Sequence, residues 1–138
     1  MAMDFNQSLK IAASGLKAQS GRMRVIAENL ANAESTARAP GQDPYRRKVV
    51  TFASKFDREL QAQTVQVGKV ERDKTDFKSR YEPGHPAADP SGYVKYPNVD
   101  TLVETADMRE AQRSYEANLN VVTATRRMIL KTLEILRA

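Results

Sequence analysis

The sequence predicts a mainly α fold with a small β region: two long terminal helices form a coiled-coil-like pair, connected by a short antiparallel β-rich middle segment. Three observations carry this expectation. Residues 100–138 contain neither Gly nor Pro and repeat an apolar side chain every seven places. The first 32 residues repeat the same logic, and what lies between is broken by proline and rich in β-branched and aromatic runs.

In the C-terminal stretch Tyr115, Val122, Ile129 and Leu136 step by seven, and Leu119 and Leu133 sit four places on from Tyr115 and Ile129. That spacing places all six along one helix face. A second series, Val121, Met128 and Ile135, lies roughly 120° around the helix, so two faces need apolar cover. A helix over this stretch would be about 55 Å long, too long to pack inside a small domain. Arg109, Arg113, Arg126, Arg127 and Lys131 interrupt every apolar run and exclude a membrane span. The stretch is therefore expected to be one strand of a multi-helix bundle whose neighbours come partly from other chains.

From Phe5 to about Asn32, Leu9, Leu16, Met23 and Leu30 recur by seven, with Phe5, Ala12 and Ile26 at intervening positions and Gln19 as the polar exception. Ile11, Ala18 and Val25 form a further series nearly opposite, so this helix is also expected to be covered on two sides. Gly15 and Gly21 each cost about 1 kcal/mol in a helix interior relative to Ala. Among Ala12, Ala13, Ser14, Ala18 and Ser20 they offer a small-residue surface for close approach of another helix.

Residues 33–44 carry two prolines and a glycine without apolar period and predict a loop. Strands are expected at Tyr45–Phe52, Thr64–Val70 and Phe77–Tyr81, making a small antiparallel sheet, and a separate short extended segment follows Gly92. Residues 56–63 are ambiguous. Residues 82–92, with three prolines and two glycines, form an ordered turn or a flexible link. Pro97 ends the last strand, and Asn98 or Asp100 can cap the long helix.

Composition narrows function mostly by exclusion. The net charge of +5 is spread as +2 over residues 1–33, +2 over 34–103 and +1 over 104–138, without the basic stripe of a nucleic-acid binder. With no cysteine, there is no disulfide, thiolate nucleophile or Cys-ligated zinc. Residues 1–19 lack the continuous apolar run of a cleavable secretory signal. His85 stands alone between Gly84 and Pro86 and reads as a turn former, and Asp73 with Asp76 reads as solvated surface. Arg46, Arg47 and Lys48 read as charges guarding an edge strand. Glu116 and Asn118 could add polar register contacts beside Tyr115. No phosphate loop, nucleophile elbow or zinc-protease motif is present, so no catalytic residue, cofactor or metal is expected.

Several segments carry a resemblance. ASGLKAQSGRMRVIAENLANAEST (residues 13–36), PYRRKVVTF (44–52), YEPGHPAADPSGYVKYPNVD (81–100) and RSYEANLNVV (113–122) are similar to bacterial flagellar basal-body rod proteins, in particular the proximal-rod type. One departure is Thr105 after Glu104, where that family often has Glu-Met. The resemblance implies export through the flagellar type III apparatus without cleavage, and polymerisation with copies of itself and other rod and axial proteins into a rod crossing the periplasm. It also implies that residues 1–33 and 98–138 together make an inner helical domain, with 34–97 outside it. The interface residues expected are Leu9, Ile11, Leu16, Ala18, Met23, Val25, Ile26 and Leu30 on the first helix, with the nine residues of the two C-terminal series on the second. No nucleic acid and no membrane span is expected. The alternative is a cytoplasmic helical adaptor pairing with one partner coiled coil.

Overall fold

The structure is a computed structural model that describes residues 4–138. In chain order it contains α1 (Phe5–Ala31), β1 (Lys48–Asp57), β2 (Ala62–Arg72), β3 (Lys78–Tyr81), β4 (Tyr93–Tyr96) and α2 (Thr101–Arg137). Both helices start on an aspartate whose carboxylate takes up amides that helix geometry leaves without a partner. Asp4 Oδ1 accepts from the N–H groups of Asn6 and Gln7 at 3.0 and 3.2 Å, and Asp100 Oδ1 from Leu102 N–H at 3.0 Å. Asp100 is thus the cap. Asn98, the other candidate, is engaged elsewhere.

The β region is two sheets rather than one. β1 and β2 form an antiparallel hairpin, and its turn is held by Asp57 Oδ1 accepting from Glu59 and Leu60 N–H, with Gln61 at a φ of +48°. β3 and β4 pair antiparallel from Lys78 opposite Tyr96 to Tyr81 opposite Tyr93. The strand expected at Tyr45–Phe52 begins three residues late, at Lys48, for a specific reason. Arg47 N–H donates to Asn98 Oδ1 and Lys48 N–H to Asn29 Oδ1, so side chains occupy donors that would have joined a ladder. The ambiguous 56–63 segment holds the end of β1, the turn and the start of β2.

Residues 82–92 are an ordered turn. Glu82 N–H donates to Gly92 C=O, His85 N–H to Glu82 C=O, and Ala88 N–H to His85 C=O. The His85 ring belongs to this turn, its Nδ1 accepting from Ala87 N–H at 3.0 Å. Gly92 is required on two counts: its φ is +86°, and a Cβ there would lie 2.8 Å from Tyr81 Cε2.

The chain folds as two compact units, each assembled from separate stretches. The first takes Met1–Met23, Thr51–Lys69 and Arg109–Ala138, and the second takes Arg24–Val50 and Val70–Met108. Their interiors differ in kind. Among the described residues, the buried side chains of the first unit are small: Ala12, Ala18, Ala111 and Thr125. The second unit buries Ile26, Val94, Tyr96 and Val99 together with Asn29 and Glu104.

Candidate functional site

In the first unit α1 and α2 run antiparallel, and the small residues are what let them meet. A Cβ on Gly15 would lie 2.8 Å from Asn118 Nδ2, and Arg22 reaches Glu110 at 3.7 Å, so rising numbers on one helix face falling numbers on the other. Ala111, fully buried, lies one heptad before Asn118. Gly21 serves the hairpin instead, since a Cβ there would lie 2.8 Å from Val67 Cγ2. Gln7 Nε2 donates to Leu60 C=O at 2.8 Å and Val65 N–H donates to Ser14 Oγ at 3.3 Å, which ties β2 and its turn along the same helix. The close approach of another helix expected at both glycines is found at Gly15, whereas the neighbour of Gly21 is a strand.

In the second unit a polar clasp joins five stretches of chain. Glu104, 1% exposed, receives Arg47 Nε on Oε1 and Asn29 Nδ2 on Oε2 at 3.3 Å. Arg47 also meets Asp73 at 3.2 Å and Asp107 at 3.7 Å. Asn29 completes its bonding by accepting from Tyr45 Oη and Lys48 N–H and donating to Lys48 C=O, at 2.7 to 2.9 Å. Asn98 accepts from Arg47 N–H and donates to Asp73 C=O and Thr75. Every charged or amide group named here has a partner, the condition under which burying it is tolerable.

The electrostatics follow from that bonding. The N–H of Thr75 on the Asp73 carboxylate, aided by the Thr75 hydroxyl and Arg47, holds its pKa below the ordinary carboxylate value. Burial pulls the Arg47 guanidinium down, but the hydrogen bonds and charges of Glu104 and Asp73 more than offset this and raise it. Tyr45 is pushed up by burial and by Glu28 and Glu104. Two expectations are corrected here. Asp73 is half-buried and ion-paired, not solvated, and Arg47 is an interior cation, while Arg46 lies 4.2 Å over the Phe77 ring and donates to Asp73 C=O.

The expected interface residues separate by exposure. On α1, Ala18 and Ile26 are buried, Leu9, Leu16, Met23, Val25 and Leu30 half-buried, and Ile11 exposed. On α2, Tyr115, Val122 and Ile129 are half-buried. Leu119, Val121, Met128, Leu133, Ile135 and Leu136 are 44 to 76% exposed. A groove of about 320 Å³ runs along this exposed part, lined by Leu119, Val122, Thr123, Arg126, Arg127 and Leu130. The register explains the exposure of Leu133, Ile135 and Leu136: Phe5, ten residues before Gly15, lies level with Met128, ten after Asn118, so the last turns of α2 extend past the start of α1.

Comparisons with known proteins converge on one family. Residues 9–39 match the family described as flagella basal body rod protein, and residues 91–135 match the flagellar basal body rod FlgEFG protein C-terminal family. The flagellar basal-body rod protein FlgC of Agrobacterium fabrum is 54% identical over 129 residues, covering 94% of this chain and 93% of that relative. The protein of the same name from Bacillus subtilis is 42% identical, covering 93% and 95%, and that from Salmonella typhimurium 45% identical, covering 91% and 92%.

The chain belongs to the FlgC family of flagellar basal-body rod proteins.

The two matched regions of this FlgC-family chain contain α1 and α2 almost entirely, with β4 before the latter. It is by family a structural subunit of the flagellar rod, and no described helix is long and apolar enough to cross a membrane. Sequence reading missed the clasp. Glu104 and Asn29 fall on helices where a charge or amide ordinarily reads as surface, and neither belongs to an apolar seven-residue series that would mark it as interior.

Proposed function

We propose that this chain builds the proximal rod by polymerising through its terminal helices with copies of itself and other axial proteins. Residues 1–33 and 98–138 then act as the inner helical domain, with residues 34–97 making lateral contacts outside it. The role is mechanical, with no catalysis. On this reading the subunit reaches the rod unfolded, through the flagellar type III export apparatus and without cleavage, and the rod it joins crosses the periplasm.

One observation carries the proposal: the first unit buries mainly Ala and Thr, while Leu119, Met128, Leu130, Leu133, Ile135 and Leu136 remain exposed along α2. Fully burying one such large side chain is worth roughly 1.5 to 3 kcal/mol, against under about 1 kcal/mol for an exposed ion pair. Helix burial in an assembly would therefore dominate subunit association. Leu133, 52% exposed in the single chain, gives the clean test. Leu133→Asp is expected to leave the thermal unfolding of the isolated chain unchanged, while flagellated cells carrying it lose rods and motility. Normal basal bodies in that strain would overturn the proposal.

A further inference from the structure

The sequence groups Arg46, Arg47 and Lys48, and the fold separates them. Arg47 turns into the clasp on Glu104 and Asp73, while Arg46 and Lys48, with Asp43, Pro44, Tyr45 and Arg72, line a pocket of about 360 Å³ within the second unit. Asp73 N–H donates to Arg47 C=O at 2.8 Å, which sets Lys48, the first residue of β1, opposite Arg72, the last of β2. Like charges directly opposite in an antiparallel pair are destabilising, and here a third cation lines the same pocket.

The charge of this pocket is only partly balanced from within the chain. Lys48 Nζ is taken by Glu28 Oε2 at 3.0 Å, and Asp43 faces Lys95 at 3.8 Å. Among the described residues, neither Arg46 nor Arg72 has an acid at ion-pair distance. Arg46 is held all the same: its Nη1 donates to Asp73 C=O and Thr75 C=O at 2.9 and 3.1 Å, and its guanidinium lies 4.2 Å over the Phe77 ring. Carbonyls fix the fork without neutralising it, and they leave its Nε and Nη2 donors for an anion. Guarding an edge strand needs charge, but not a guanidinium fixed in place.

We propose that this pocket takes an acidic peptide segment, whose carboxylates neutralise Arg46 and Arg72 while its backbone lies against Pro44 and Tyr45. The planar fork of arginine matches a carboxylate with two parallel hydrogen bonds. Two uncompensated charges in a pocket of this volume suit a short run of residues better than a lone anion. The site stands on its own geometry, and its occupation in a rod rests on the rod-subunit reading.

The test begins with the isolated full chain, titrated at low salt with N-acetyl-triglutamate and followed by amide NMR. Saturable shifts are expected at residues 43–48 and 70–74. Arg72 is exposed, so Arg72→Glu is expected to leave thermal unfolding unchanged while weakening the peptide at least tenfold, and Arg72→Lys to retain it within about threefold. Inorganic phosphate binding as tightly as the peptide, or peptide binding unmoved by Arg72→Glu, overturns the assignment. The second arm uses Arg72→Lys in flagellated cells, which puts an amine in the pocket lining for carbodiimide coupling to any carboxylate it touches. In purified basal bodies the expected adduct joins position 72 to an Asp or Glu whose adduct is absent from the isolated chain, and its sequence tells a second copy from another component. Coupling in basal bodies only to acids already coupled in the isolated chain overturns occupation of the pocket and leaves the rod reading standing. Absence of the parent chain from basal bodies defeats the rod reading itself.

Discussion

At the scale of single residues, Glu104 sets the largest stake, because a carboxylate 1% exposed is tolerable only while its partners are in place. Arg47→Ala removes the nearest cation and leaves that charge stranded. The loss is expected to be about 3 kcal/mol, the low end for a broken buried pair because Arg47 retains some contact with water. Arg47→Met with Glu104→Leu removes both charges and should recover most of it, since Asn29 keeps its bonds to Tyr45 and Lys48. Urea midpoints of the three proteins decide the matter, and a double variant no more stable than Arg47→Ala would mean the charges act independently. Asp73 adds a pH signature. Its native pKa lies below the ordinary 3.8, so the folded state takes up its proton less readily than the unfolded one. Its contribution is present in full above that value and fades as pH falls through the lowered native one. Between about pH 6 and pH 3, Asp73→Asn should therefore lose less stability than the parent chain, and equal losses would count against a stabilising Asp73 carboxylate.

For the elements, the two helix-interior glycines should respond differently to the same substitution. Alanine gains about 1 kcal/mol of helix propensity at either site. At Gly15 the new methyl meets the amide end of Asn118, which can rotate aside, whereas at Gly21 it meets Cγ2 of Val67, a stiff β-branched side chain in β2. Gly15→Ala is expected to be near neutral and Gly21→Ala to destabilise by about 1 to 2 kcal/mol, read from urea unfolding of the isolated chain. The helices themselves were legible because a seven-residue period survives in sequence whatever covers it, and the small residues around Gly15 and Gly21 announced a close approach. The strand pairing was not. Whether Arg47 and Lys48 begin a ladder depends on Asn98 and Asn29 capturing their amides, across 51 and 19 residues of sequence. The apolar rows on α2 were legible as needing cover, but the extent to which α1 supplies it depends on the register set at Gly15 and Asn118, which heptads alone leave free.

For the whole molecule, the two units have different means of holding themselves together. The second contains a satisfied polar clasp and a core of Ile26, Val94, Tyr96 and Val99, while the first fully buries only Ala12, Ala18, Ala111 and Thr125 among its described residues and leaves Leu119, Met128, Leu130, Leu133, Ile135 and Leu136 exposed. Local stability tracks buried apolar contact and protected hydrogen bonding, so the isolated chain should open unevenly. Hydrogen exchange on the full chain is expected to give the slowest amides around Asn29, Tyr96 and Val99, intermediate ones in α1 near Ala12 and Ala18, and nearly unprotected ones over residues 131–137. All of that last stretch is exposed, and no described residue of α1 lies level with it. The same segment in purified rods should exchange at least about a hundredfold more slowly, because assembly adds the apolar cover that the single chain lacks. A pre-folded cytoplasmic adaptor would instead protect residues 131–137 in a small complex with one partner, and a tail equally mobile inside the rod would place subunit association on surfaces other than α2.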